Sequence, residues 1–276
     1  MWDMCYLRSH DPRVHPTGSR CRPGPAVGRR SAMTAQPDDI GTEWGEVPTE
    51  DGPMGLYRAG GDATSAVVVL QEAFGVNDHI QDVTRRFAAL GHLAVAPDLF
   101  HRTGTGVLGY ERHAEAMPLI GAIDAGAITR DVRAVLAHLA EHDGVPANRV
   151  AVVGFCFGGR AAFTAATSIR GLGATVVFYG PGIAAGPHAV LGDAGRIDAP
   201  LLVHVGGDDP TIPADQVAAV DTALAALPVP ARQFVYPDAG HAFACDARPA
   251  LYRREAATLA WDRTTAFLAD HLPLAH

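Results

Sequence analysis

Apolar and polar positions along the chain alternate between two periods. Ala66–Gln71 is almost continuously apolar, which suits a strand buried on both faces of a parallel sheet. Asn77 and Asp78 can cap a helix running to Leu90, with Ile80, Val83, Phe87 and Leu90 on one face. His92–Ala96 is the next strand, stopped by Pro97. Residues 100–112 are Gly-rich and read as a loop. A long helix is expected from Ala125 to His142, ended by Asp143, Gly144 and Pro146. Strands follow at 150–154, Thr175–Tyr179, Leu201–Val205 and Gln233–Tyr236. Helices follow to about Ser168, over Ala214–Leu227 and over Arg248–His271. Around the turn cluster Thr49–Pro53, residues 43–58 read as a hairpin at a sheet edge. Strands alternating with helices predict an α/β fold with a mostly parallel sheet covered on both faces.

Residues 1–32 differ from the rest. They hold six Arg against two Asp, four Pro and no periodic apolar pattern. Arg29-Arg30 has no apolar stretch after it, so no twin-arginine signal is read. We expect a disordered extension here, with Met33 an alternative start, and a single domain over residues 33–276. The chain carries formal charge −8, and all 22 basic residues are Arg. Without residues 1–32 the balance is near −12. An acidic chain with no basic stripe argues against nucleic acid as partner, and no apolar run is long enough to span a membrane. Four cysteines without CxxC spacing fit a reducing, cytoplasmic setting.

The candidate chemistry starts at Gly154-Phe155-Cys156-Phe157-Gly158-Gly159, directly after the strand Val150–Val153. A nucleophile on a sharp strand-to-helix turn needs small neighbours, and glycines stand two residues on either side of Cys156. The turn raises the sulfur above the sheet edge and sets it at a helix N-terminus, which favours thiolate and oxyanion. In α/β-hydrolases the acid and then the base follow the nucleophile. Asp208 and Asp209 follow the strand Leu201–Val205, and His241 follows Gln233–Tyr236. Loops beyond the carboxyl ends of parallel strands converge on one rim, so Cys156, an Asp and His241 can meet there. His138 and His142 match a helical metal-site pattern, but with no partnered acid downstream we read a solvated helix end.

Five ordered segments now carry a resemblance: Gln71–Asn77, Ala96–Phe100, Gly154–Gly159 and the Asp209 and His241 segments. Together, over nearly all of residues 43–271, they resemble the dienelactone hydrolase family. The resemblance implies an α/β-hydrolase fold with a minimal lid, no cofactor, and a small lactone or ester as substrate. It selects Asp209 over Asp208. It implies that Glu72 contacts the nucleophilic cysteine and helps generate the thiolate. Backbone N–H groups of Phe157 and Ala73 would form the oxyanion hole, and Arg102 would bind a substrate carboxylate. One departure stands out: where the family carries a second carboxylate-binding Arg, this chain has Cys245, with Arg248 close by in sequence. Two alternatives stay open, a general carboxylesterase or thioesterase without carboxylate preference, and a catalytically silent binding protein. Oligomeric state is not legible.

Overall fold

The computed structural model describes residues 39–272 and 274; the expected extension over residues 1–32 lies outside the described residues. Eight strands form one sheet: β1 (Thr42–Thr49), β2 (Gly52–Ala59), β3 (Ala66–Leu70), β4 (Leu93–Pro97), β5 (Val150–Phe155), β6 (Ala174–Phe178), β7 (Leu201–Gly206) and β8 (Ala231–Tyr236). Their order is β1-β2-β4-β3-β5-β6-β7-β8. The β1–β2 hairpin is antiparallel and docks antiparallel on β4; β3 to β8 are parallel throughout. The hairpin therefore occupies one edge, as its turn residues predict.

Among the described residues six α-helices cover the sheet: α1 (Asp78–Ala89), α2 (His113–Ala122), α3 (Ala125–His142), α4 (Phe157–Ser168), α5 (Ala214–Ala225) and α6 (Arg254–His271). The apolar strands look uniform in sequence, but successive side chains serve opposite faces. Val68, Leu70 and Val152 pack with Ile128, Val132 and Val135 of α3 and Ala162 of α4. Val67, Val69 and Val153 pack with Ile80, Val83 and Phe87 of α1 and Ala257 and Ala260 of α6. Two cores thus share one sheet, and both faces of the central strands are dry.

Caps follow the sequence closely. The Asn77 side chain accepts the Ile80 N–H at 3.1 Å, and Asp124 accepts that of Ala127 at 2.7 Å. Two elements differ from expectation. Helix α2 lies in a stretch with no periodic signal: only Ala116 is buried, and Pro118 sits inside it. Helix α6 starts at Arg254 rather than Arg248, because Pro249 disfavours helical backbone at Arg248. Residues 248–252 form tight turns instead, with Leu251 and Tyr252 both donating to the Arg248 carbonyl.

Candidate active site

Cys156 stands between β5 and α4 at φ 54° and ψ −117°, a strained position for a residue with a side chain. Its neighbours explain how the turn closes. A Cβ on Gly158 would overlap the carbonyl oxygens of Leu70 and Gln71, and one on Gly154 would overlap that of Gly158. The first turn of α4 therefore rests directly on the end of β3. That contact fixes where the Gln71–Asn77 loop runs relative to the sulfur. Neither the Phe157 nor the Ala73 N–H donates a hydrogen bond within the described residues.

Two further loops on the same rim bring the partners. The Cys156 Sγ lies 3.1 Å from His241 Nε2, and His241 Nδ1 lies 2.8 Å from Asp209 Oδ2. A side chain on Gly206 would strike the carbonyl oxygen of Ala239, so glycine lets the loops after β7 and β8 touch. Asp209 is buried, whereas Cys156 and His241 are partly open to solvent. Asp208, the neighbouring candidate, is exposed and makes no such contact.

Thr211, which sequence reasoning did not single out, completes this arrangement. Its N–H and its hydroxyl both donate to Asp209 Oδ1, at 2.8 and 2.6 Å, and its Oγ lies 3.1 Å from His241 Nδ1. The signal was present as a Thr two residues after the acid, a spacing that suits a side-chain turn. Tyr179 was also missed. It sits at φ 38° just after β6, with its ring edge-on to His241 at 5.3 Å.

Burial opposes charge on His241, but the Cys156 charge and the Asp209 hydrogen bond outweigh it, and its pKa is pushed up to about 10. Burial would raise Asp209, yet its bonds to His241 and Thr211 hold it below the usual carboxylate range. The geometry thus favours an imidazolium held between the Asp209 carboxylate and the Cys156 sulfur.

Glu72 is 1% exposed, and neither carboxylate oxygen has a hydrogen-bond partner. It makes no hydrogen bond to Cys156. Its neighbours are His79 and Cys245, whose ligating atoms lie with a Glu72 oxygen inside a 4.8 Å cluster. Burial would lower the His79 pKa, but Asp246 (3.3 Å from Nδ1), Cys245 and Glu72 raise it to about 10. A buried imidazolium therefore faces the buried Glu72 side chain.

Arg102 Nη1 and Nη2 bind both oxygens of the fully buried Asp131 at 2.6 Å each, and Nε binds Asp51 at 2.7 Å. The guanidinium is engaged by two resident carboxylates, so a substrate carboxylate binding there would have to share or displace them. The Arg248 guanidinium lies over the Tyr110 and Phe74 rings at 4.9 and 5.6 Å. The rings of His138 and His142 stack at 4.3 Å. A cavity of about 360 Å³ lies at the amino ends of β7 and β8, beside Arg232 and Arg263. It is on the rim opposite Cys156, so chemistry rather than size locates the site.

A mostly parallel eight-stranded sheet, with a strained residue on the turn after β5 and an acid and a His on later loops of the same rim, defines an α/β-hydrolase. The dienelactone hydrolase family pattern matches residues 56–272. A protein named "Putative carboxymethylenebutenolidase" from Salmonella typhimurium is 33% identical over 270 residues, covering 94% of this chain and 97% of that one. The crystal structure of a "Putative Dienelactone Hydrolase" from Klebsiella pneumoniae superposes with TM-score 0.75 at 32% identity, covering 83% of this chain and 98% of that one. A dienelactone hydrolase-like promiscuous phosphotriesterase from metagenomic libraries gives TM-score 0.71 at 26% identity, covering 85% and 99%. The chain belongs to the dienelactone hydrolase family, hydrolases that act on carboxylic ester bonds.

Proposed function

We propose that the protein hydrolyses small lactones or esters by covalent catalysis at Cys156. The observation that carries this reading is the unbroken chain from Sγ through the His241 ring to Asp209, at 3.1 and 2.8 Å. The thiolate attacks the carbonyl carbon, and negative charge develops on the carbonyl oxygen. The Phe157 and Ala73 N–H groups, which no other group among the described residues engages, suit an oxyanion hole there. As the tetrahedral intermediate collapses, His241 gives its Nε2 proton to the leaving alkoxide, and a thioester remains on Cys156. Neutral His241 then takes a proton from water, whose oxygen attacks the thioester. Collapse releases the acid and restores the thiolate beside imidazolium. Asp209 keeps the Nδ1 proton in place and stabilises the ring's positive charge in both halves.

In this reading Glu72, buried beside His79 and Cys245, takes the part of the family glutamate that helps form the thiolate. The free thiols Cys156 and Cys245 suit a reducing cytoplasm. A general carboxylesterase reading is favoured by one observation: Cys245 stands where a second anchor was expected, and Arg102 is occupied by Asp131 and Asp51.

Turnover of p-nitrophenyl acetate tests the proposal. Cys156→Ala abolishes it, and an acyl adduct is trapped on the Cys156 peptide by mass spectrometry. Cys156→Ser keeps the fold and loses about 10²- to 10⁴-fold in kcat, because the proton balance suits a thiol. Unchanged turnover in Cys156→Ala removes the mechanism.

A further inference from the structure

Arg160 lies one turn into α4, four residues beyond the nucleophile, and is only 6% exposed. A positive charge in the first turn of a helix opposes the helix dipole. Burying a cation without a counter-charge is costlier still. Arg160 nevertheless has no carboxylate within ion-pair distance in the described residues. Its protein contacts are a long hydrogen bond from Nη2 to the Ile120 carbonyl, at 3.4 Å, and the Phe157 ring, 5.4 Å below the guanidinium. A guanidinium carries five N–H donors; one is spent on Ile120, and since no Arg160 nitrogen is both buried and unpartnered, the others are open to solvent.

The group borders a cavity of about 260 Å³ between α2 and the loop after β6, lined also by Met117, Ile120, Phe157, Pro181 and His188. The cavity borders the loop at the carboxyl end of β6, the end of the sheet at which Cys156 also stands. Phe157 belongs to both places: its N–H faces the proposed oxyanion position, and its ring forms a cavity wall. Burial lowers the Arg160 pKa, and the Cys156 charge acts against that, so the two groups sense one another.

We propose that Arg160 is the specificity-determining anchor for a carboxylate at the far end of an aliphatic acyl chain. The apolar walls would hold the chain and the guanidinium its anionic head, by paired N–H···O bonds. This deepens the hydrolase reading and rests on acyl transfer to Cys156.

The test compares mono-p-nitrophenyl adipate with p-nitrophenyl hexanoate, which match in chain length and differ in charge. The unaltered protein prefers the charged ester, and Arg160→Gln lowers the ratio of the two kcat/KM values by at least about tenfold. Arg160→Lys retains an intermediate ratio. A ratio that stays within about twofold of the parent in Arg160→Gln overturns the proposal, whatever the absolute rates. Should the glutamine variant not fold, competition in the unaltered protein decides: adipate inhibits and adipamide does not, and equal inhibition by both overturns it. Calorimetric titration of Cys156→Ala with adipate separates the two readings. Binding that disappears in the double variant with Arg160→Gln supports the anchor even if Cys156 is not the nucleophile, and binding that persists sinks it.

Discussion

Arg102 and Asp131 show how a residue's surroundings add to its sequence context. Asp131 is fully buried, and among the described residues its side chain meets the Arg102 guanidinium and, at 3.3 Å, His101. Removing Arg102 would leave that charge nearly alone inside the protein. Arg102→Ala is therefore expected to cost about 3–5 kcal/mol of stability, read as a lower urea midpoint. The preference between charged and neutral esters is expected to stay as in the parent. A selective loss on the charged ester with no loss of stability would mark Arg102 as a substrate anchor. Thr211 illustrates the reverse case, a residue plain in sequence that binds the acid twice and reaches the His.

The element that matters most is the turn joining β5 to α4. Its shape comes from contact between backbones, since a Cβ at Gly158 has no room beside Leu70 and Gln71. Gly158→Ala would push α4 off β3 and move the Phe157 N–H from the Ala73 loop. We expect a loss of about 3 kcal/mol or more, together with most esterase activity. Parent-like denaturation curves for this variant would show that the close approach is not needed. The turn was legible in sequence because glycines at fixed spacing after an apolar strand mark a bend too tight for side chains. Helix α2 was not, because it buries little and carries Pro118, so no amphipathic period marks it. The cavity beside Arg160 depends on α2, and so it could not be foreseen.

Across the whole molecule, buried histidines of two kinds set the pH range of stability. His204 in β7 is held neutral between Tyr236 and Thr264, and burial pushes its pKa down to about 3; burial likewise takes His92 down to about 4. In the unfolded chain both titrate near 6.5, so as pH falls below about 6.5 the unfolded state takes protons that the folded state refuses. Stability then drops towards pH 3. His79 behaves oppositely: raised to about 10, it contributes fully below about 6.5 and loses that contribution as pH rises through 10. The melting temperature should therefore peak near neutral pH and fall on both sides. In His204→Gln the acid limb should become shallower, His92 retaining part of it, and in His79→Gln the alkaline limb should become shallower, His241, also raised to about 10, retaining part of it. Limbs that keep the parent slope in these variants would contradict the assignment.

The amino-acid sequence by itself determined the parallel sheet, the edge hairpin, the order of the reactive segments and the strained turn at Cys156. Each of these depends on local pattern: apolar period, capping residues and glycine spacing within a few residues. The tertiary structure alone decided how charges pair. Residues far apart in the chain meet there, and the same arginine is a structural tie at position 102 and a buried cation facing a cavity at position 160. Coulomb energy and desolvation depend on distance and burial, which no local pattern encodes.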